Sequence, residues 1–298
     1  MTRSKNRRRV QFTAAAAAFA VLVAACGSDK STTGAKSSSS ADSLTTAPSV
    51  TSGATTTTVM MMHLPKYADA YKTKVVTPAS DVTVTTNEIT VRVDAVGFAP
   101  SCNRAGKAPK VGTGHYHVLL DKSLVNMYCT PDATVSLQNV KVGKHTLEVV
   151  PALNDHAEVM MGGSELAFDY EPAVPLAPIT DVSGNATPTI EIVSPKPGDV
   201  VTGDYDVVVK TTNWRNSCDL YGKPGVLGYG HWHVNLDTTG GPMMGMGTMQ
   251  GMSCTNVFHA STLGLTSGVK HTIIALLVDN GHAPLMPAIE SKVQVTVG

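Results

Sequence analysis

GTGHYHVLLD occupies residues 112–121 and GYGHWHVNLD occupies residues 228–237. The same phrase, written twice with small changes, decides how the chain is read. Its residues alternate with the two-residue period of a β-strand, which sends successive side chains to opposite faces. Tyr116, Val118 and Leu120 share one face, matched by Trp232, Val234 and Leu236. Both sets are apolar, so this is the predicted core face. His115, His117, Leu119 and Asp121 share the other, matched by His231, His233, Asn235 and Asp237. The Leu-to-Asn change there predicts a partly exposed surface.

The match extends well beyond the phrase. Phe98 aligns with Trp214, Cys102 with Cys218, and Gly106-Lys107 with Gly222-Lys223, at one offset. After an insertion in the second copy, Cys129 aligns with Cys254 and Lys144-His145-Thr146 with Lys270-His271-Thr272. Asn154 and His156-Ala157 then align with Asn280 and His282-Ala283. Around these landmarks lie alternating runs rich in Val, Ile and Thr, such as VTVTTNEITVRVDAVGF. No long stretch shows a helical period. The predicted fold class is all-β: two tandem immunoglobulin-like β-sandwiches, residues 80–175 and 185–298, each near the usual size of about 100 residues.

The N-terminus reads as a targeting segment. Arg3, Lys5 and Arg7 to Arg9 precede the apolar run AAAAAFAVLVAA, which ends at Val23-Ala24-Ala25-Cys26. This order resembles the lipobox of bacterial lipoproteins. The resemblance implies removal of residues 1–25, lipidation of Cys26 and display on the extracytoplasmic face of the cell membrane. Residues 26–58 are dominated by Ser, Thr, Ala and Gly. They bury too little apolar surface to offset their conformational entropy and are expected to form a disordered tether. Residues 59–79 are a lead-in segment, a short helix or an extended stretch.

Composition narrows the classes of function. The formal net charge is zero and 15% of residues are charged. No basic patch suits phosphate neutralisation, so nucleic acid is not an expected partner. The lipid anchor is the only membrane contact expected, and no protein or cell-wall partner can be named. Besides Cys26 there are four cysteines, which suits two disulfides in an oxidising compartment. Their duplicated order points to Cys102–Cys129 and Cys218–Cys254.

Two imidazoles at i and i+2 on one strand face lie within reach of a single metal ion, and neutral imidazole suits copper and zinc. Further ligands must come from elsewhere, and the repeated candidates are His145 and His156, with His271 and His282 in the second copy. Eight of the ten histidines thus fall into two matching sets. The alternative is a structural network in which these histidines bond backbone carbonyls and the nearby Asp. The insertion GGPMMGMGTMQGMSC adds Met243, Met244, Met246, Met249 and Met252 among residues that bury little. Exposed thioethers are open to oxidation, and as soft ligands they select Cu(I). Such Met- and Gly-rich loops resemble copper-binding segments of exported copper-handling proteins.

Catalytic patterns are missing. HYHV is similar to the copper strand of copper-zinc superoxide dismutases, but no bridging-His segment or compact zinc loop accompanies it. No G-x-S-x-G elbow occurs. The phrases Gly114 to Asp121 and Gly143 to Leu147, repeated as Gly230 to Asp237 and Lys270 to Ile273 followed by Asp279 to His282, resemble a family of exported bacterial domains of unknown function. Its members read GHHHLLID and then GKHTLxLxLxDxxH. That resemblance implies export and a small β domain, but no reaction. The middle His of the family is Tyr116 or Trp232 here. The expected function is therefore extracytoplasmic metal binding, copper before zinc, as a non-enzymatic carrier or buffer. The alternative is a cell-surface binding, adhesion or cell-wall module with structural histidines.

Overall fold

The computed structural model describes residues 64–298, apart from 183, 185 and 241–245. Cys26, the signal and tether segments, Met243 and Met244 lie outside the described residues. Both repeats belong to one unit, Val59–Gly298. Among the described residues no helix is long and apolar enough to cross a membrane.

The alternation read from the sequence becomes the same sheet arrangement twice. In the first repeat, Lys72–Thr77, Glu88–Val96 and Asp132–Ser136 form a three-stranded antiparallel sheet. The facing sheet runs Val82–Val84, Ser164–Tyr170, Gly143–Ala152, Thr113–Leu120, Ala99–Pro100, and Ser123–Tyr128 also pairs with Thr113–Leu120. The second repeat reproduces both. Thr189–Ser194, Asp204–Thr212 and Val257–Ser261 form its small sheet. Val200–Val201, Glu290–Val297, Lys270–Val278, Tyr229–Leu236 and Arg215–Asn216 form the large one, with Met249–Ser253 paired to Tyr229–Leu236. The chain is thus all-β, with two immunoglobulin-like sandwiches. Cys102–Cys129 and Cys218–Cys254 close one disulfide in each.

The core faces follow the expected pattern. Tyr116, Val118 and Leu120 pack with Val91, Val135, Leu147, Val149 and Phe168. Trp232 and Val234 pack with Val207, Ile273, Leu277 and Val295. Each such side chain, fully buried, contributes roughly 1.5–3 kcal/mol.

Two expectations about boundaries and exposure are corrected. The first sandwich starts before residue 80, because Lys72–Thr77 is one of its strands. Ahead of it, the 3-10 turn Lys66–Ala70 and Tyr71 join Phe98, Leu153, Ala157 and Val159 in a separate apolar cluster. The face opposite the core is exposed only toward its end, where Leu119 is half-buried and Asp121 and Asp237 are exposed. His115 is 0% and His117 1% exposed, and His231, His233 and Asn235 are also buried. This face lies at the seam between the two sandwiches. Tyr221, Met252 and Cys254 of the second repeat pack against the core of the first.

Candidate metal centre

Each histidine pair is brought together with one further histidine, carried by a turn after the neighbouring strand. Thr113–Leu120 and Gly143–Ala152 run antiparallel, with His115 opposite Ala152 and His117 opposite Val150. The chain then turns through Asn154-Asp155, and His156 takes a left-handed backbone, φ 63°. His282 takes the same conformation, φ 70°. Left-handed backbone is uncommon outside glycine, though His tolerates it better than most residues. Here it turns the ring back over the strand pair.

Three nitrogens converge at each site. His115 Nε2 lies 3.1 Å from His117 Nε2 and 3.1 Å from His156 Nδ1, and the latter two are 3.2 Å apart. In the second copy His231 Nε2 lies 3.1 Å from His233 Nε2 and 2.9 Å from His282 Nδ1, with 3.3 Å between the last two. A triangle of this size has all three corners within reach of one point at the nitrogen–metal distance of about 2.0–2.1 Å. Each triad can therefore hold a metal ion.

The outer ring nitrogens decide which protons face inward. His117 Nδ1 donates to Glu158 Oε1 at 2.7 Å. His156 Nε2 donates to the Met249 carbonyl of the second sandwich at 2.6 Å. A neutral imidazole carries one N–H, so in their neutral forms His117 Nε2 and His156 Nδ1 both present lone pairs to the triangle. In that state His115 Nε2–H can bridge them. His115 Nδ1 has no partner among the described residues, and neither has His231 Nδ1. At the second triad His282 Nε2 donates to the Leu124 carbonyl of the first sandwich at 2.8 Å. Outer hydrogen bonds of this kind fix tautomer and orientation in metal-ligating histidines.

Burial favours the neutral form of His115, His156, His231, His233 and His282. It holds His115 well below the ordinary imidazole range, and the charges of His156 and His117 push the same way. Burial lowers His156 to about 3 and His282 to about 4. His231 and His233 are also held well down by burial, followed by the charge of His282. The two triads lie within electrostatic range of each other, since His233 feels His156 and His282 feels His117.

The seam is built from a repeated contact. Met249 and Leu124 hold equivalent positions, opposite Asn235 and Leu119, each beside a bulge in its hairpin. The sequence match Gly106/Gly222 gains its reason here. Both glycines have positive φ, 70° and 68°. A Cβ on Gly106 would lie 2.5 Å from the Met249 carbonyl, and one on Gly222 2.5 Å from the Leu124 carbonyl oxygen. Each glycine N–H also bonds the Asn154 or Asn280 carbonyl, tying this turn to the one that carries His156 or His282. Lys107, next along, donates to the Ser261 carbonyl across the seam.

Other sequence candidates fall elsewhere. His145 and His271 are not in the triads. His145 Nδ1 bonds Asp121 Oδ2 at 2.6 Å and its Nε2 lies 2.7 Å from the Lys141 carbonyl. His271 Nδ1 bonds Asp237 Oδ2 at 2.8 Å. Each begins its strand at the end of the sheet away from the triad turn, so the structural reading holds for these two. The expected exposed thioether loop is also corrected. Met249 and Met252 belong to the strand Met249–Ser253, Met249 is buried, and Met252 packs on the first core. Met246 is half-buried in a short turn. Glu158 was not read from the sequence as a site residue. It has no counterpart in the second copy, where Pro284 follows His282-Ala283, so the repeat could not flag it.

No family model matches the chain, and no curated protein matches it. Solved structures align with it at low similarity. The fibronectin(III)-like modules of Clostridium thermocellum CbhA align over 76% of this chain and 93% of theirs, at 14% identity and a TM-score of 0.25. CopC from Methylosinus trichosporium OB3b aligns over 36% of this chain and 99% of its own, at 13% identity and a TM-score of 0.22. PorU from Porphyromonas gingivalis aligns over 77% of this chain and 24% of its own, at 12% identity and a TM-score of 0.24.

Proposed function

We propose that this protein binds transition-metal ions, copper first and zinc second, at its two histidine triads. It acts as a carrier or buffer on the extracytoplasmic face of the membrane, anchored through lipidated Cys26. One observation carries the reading: three buried ring nitrogens of His115, His117 and His156 converge within 3.2 Å of one another, with the outer nitrogens of His117 and His156 held by Glu158 and the Met249 carbonyl. Imidazole donors suit copper and zinc. No acid–base pair lies in the triads beside Glu158, which serves His117, and a carrier needs none.

The test is metal titration of the full-length chain purified in detergent, with Cu(I), Cu(II) and Zn(II) added separately. Stoichiometric binding that disappears when His115, His117, His231 and His233 are all changed to Ala supports the reading. No binding above background by well-folded protein overturns it in favour of a surface-binding module.

A further inference from the structure

The two triads agree in nitrogen geometry and differ in charge. In the first, the Glu158 carboxylate lies 2.7 Å from His117 Nδ1 and its side chain is 29% exposed. In the second the same place is taken by Pro284. The correspondence is structural as well as sequential, since isolated bridges join Ala152 to Glu158 and Val278 to Pro284. Each turn also carries one aspartate, Asp155 or Asp279, bonded to amides of its own turn. Neither bonds a ligating ring, although the charge of Asp279 reaches His282. Beside His231 the second site has the Tyr221 ring, edge-on at 4.5 Å between centroids, where the first copy has Ala105.

This difference bears on which ion each triad accepts. The cost of moving an ion out of water grows with the square of its charge, so a divalent ion costs about four times a monovalent one in the same surroundings. A carboxylate behind a ligating histidine offsets part of that charge and strengthens the imidazole as a donor. Three neutral imidazoles with no carboxylate bonded to a ligating ring among the described residues offset less of it.

Resting on the metal-binding reading above, we infer that the triads are specialised by charge: His115, His117 and His156, backed by Glu158, take a divalent cation, and His231, His233 and His282 take monovalent Cu(I). One chain then holds the two charge states side by side, in a seam to which both sandwiches contribute.

The experiment titrates the full-length chain in detergent with Zn(II), and separately with Cu(I) under anaerobic conditions against a competing chelator. Wild type is expected to bind one tight equivalent of Zn(II), lost in His117→Ala and retained in His233→Ala. Glu158→Gln should weaken it about 10- to 100-fold. The tightest Cu(I) equivalent should be lost in His233→Ala and retained in His117→Ala. Pro284→Glu should create a second tight Zn(II) equivalent, a gain that misfolding cannot imitate, and near-ultraviolet circular dichroism checks each variant. Two Zn(II) equivalents of equal affinity in wild type, an unchanged affinity in Glu158→Gln, or Cu(I) lost in His117→Ala rather than His233→Ala would overturn the charge assignment while leaving metal binding intact. Failure of wild type to bind either ion would instead overturn the reading on which it rests.

Discussion

His156 and His282 sit on equivalent turns, and each sends its outer N–H into the other sandwich. His145 and His271 begin equivalent strands, and each bonds an aspartate of its own sandwich. All four are repeated in sequence at matching places. Repetition therefore marks a residue as part of the folding unit without saying what it does. What separates the pairs is their surroundings. The first pair is buried among other imidazoles at the seam, and the second is placed near the surface beside half-exposed carboxylates.

The largest effect that can test this contrast is acid sensitivity of the metal-free chain. Burial lowers His156 to about 3 and His282 to about 4, against an ordinary value near 6.5. As pH falls below about 6.5 the unfolded chain takes up protons that the folded chain refuses. Stability from these groups is complete above that pH and declines progressively toward pH 3–4, by several kcal/mol in total. Urea unfolding between pH 7 and pH 4, with a chelator present, measures it. A flat profile would show that the triads are not buried as described.

Next in size are Gly106→Ala and Gly222→Ala. Each places a methyl group against a carbonyl of the opposite sandwich at a positive φ, and should cost about 2–4 kcal/mol in urea unfolding. Each should also speed amide exchange at the seam more than in either core. Equal protection everywhere would mean that the sandwiches do not depend on this contact.

His145→Ala and His271→Ala should cost about 1–2 kcal/mol each, the value of a hydrogen bond to a partly solvated charged group. Metal stoichiometry should not change, and loss of a bound equivalent in either variant would erase the distinction drawn between the two kinds of histidine. The smallest effect belongs to Met161, which is 93% exposed. Met161→Ser should shift stability by less than about 0.5 kcal/mol and leave Cu(I) binding unchanged.

Much of the architecture was legible in one ten-residue phrase. Alternation in HYHVLLD placed Tyr116, Val118 and Leu120 in the core, because a strand's geometry separates its two faces whatever surrounds it. Duplicated cysteine order pointed to the two disulfides that form. The opposite face is exposed at Asp121 and Asp237, as expected, but covered at its histidines. Nothing within a strand reports on a second domain laid over it, so the burial of His115, His117 and Asn235 was not legible there. The methionines misled for a related reason. Glycine-rich flanks suggested a loop, yet Met249–Ser253 gains ladder bonds from Tyr229–Leu236 and cover from the first sandwich.

The sequence by itself determined the number of repeats, the strand faces, and which histidines stand two apart on one side of a strand. These follow from local geometry and from comparing the chain with itself. Only the tertiary structure chose His156 and His282 over His145 and His271. Only it brought Glu158 behind His117 and set the Met249 and Leu124 carbonyls against the outer nitrogens. Those contacts join residues 41, 93 and 158 positions apart. Such pairs meet when apolar burial drives two finished sandwiches together, and their tautomers and charges take their meaning from that meeting.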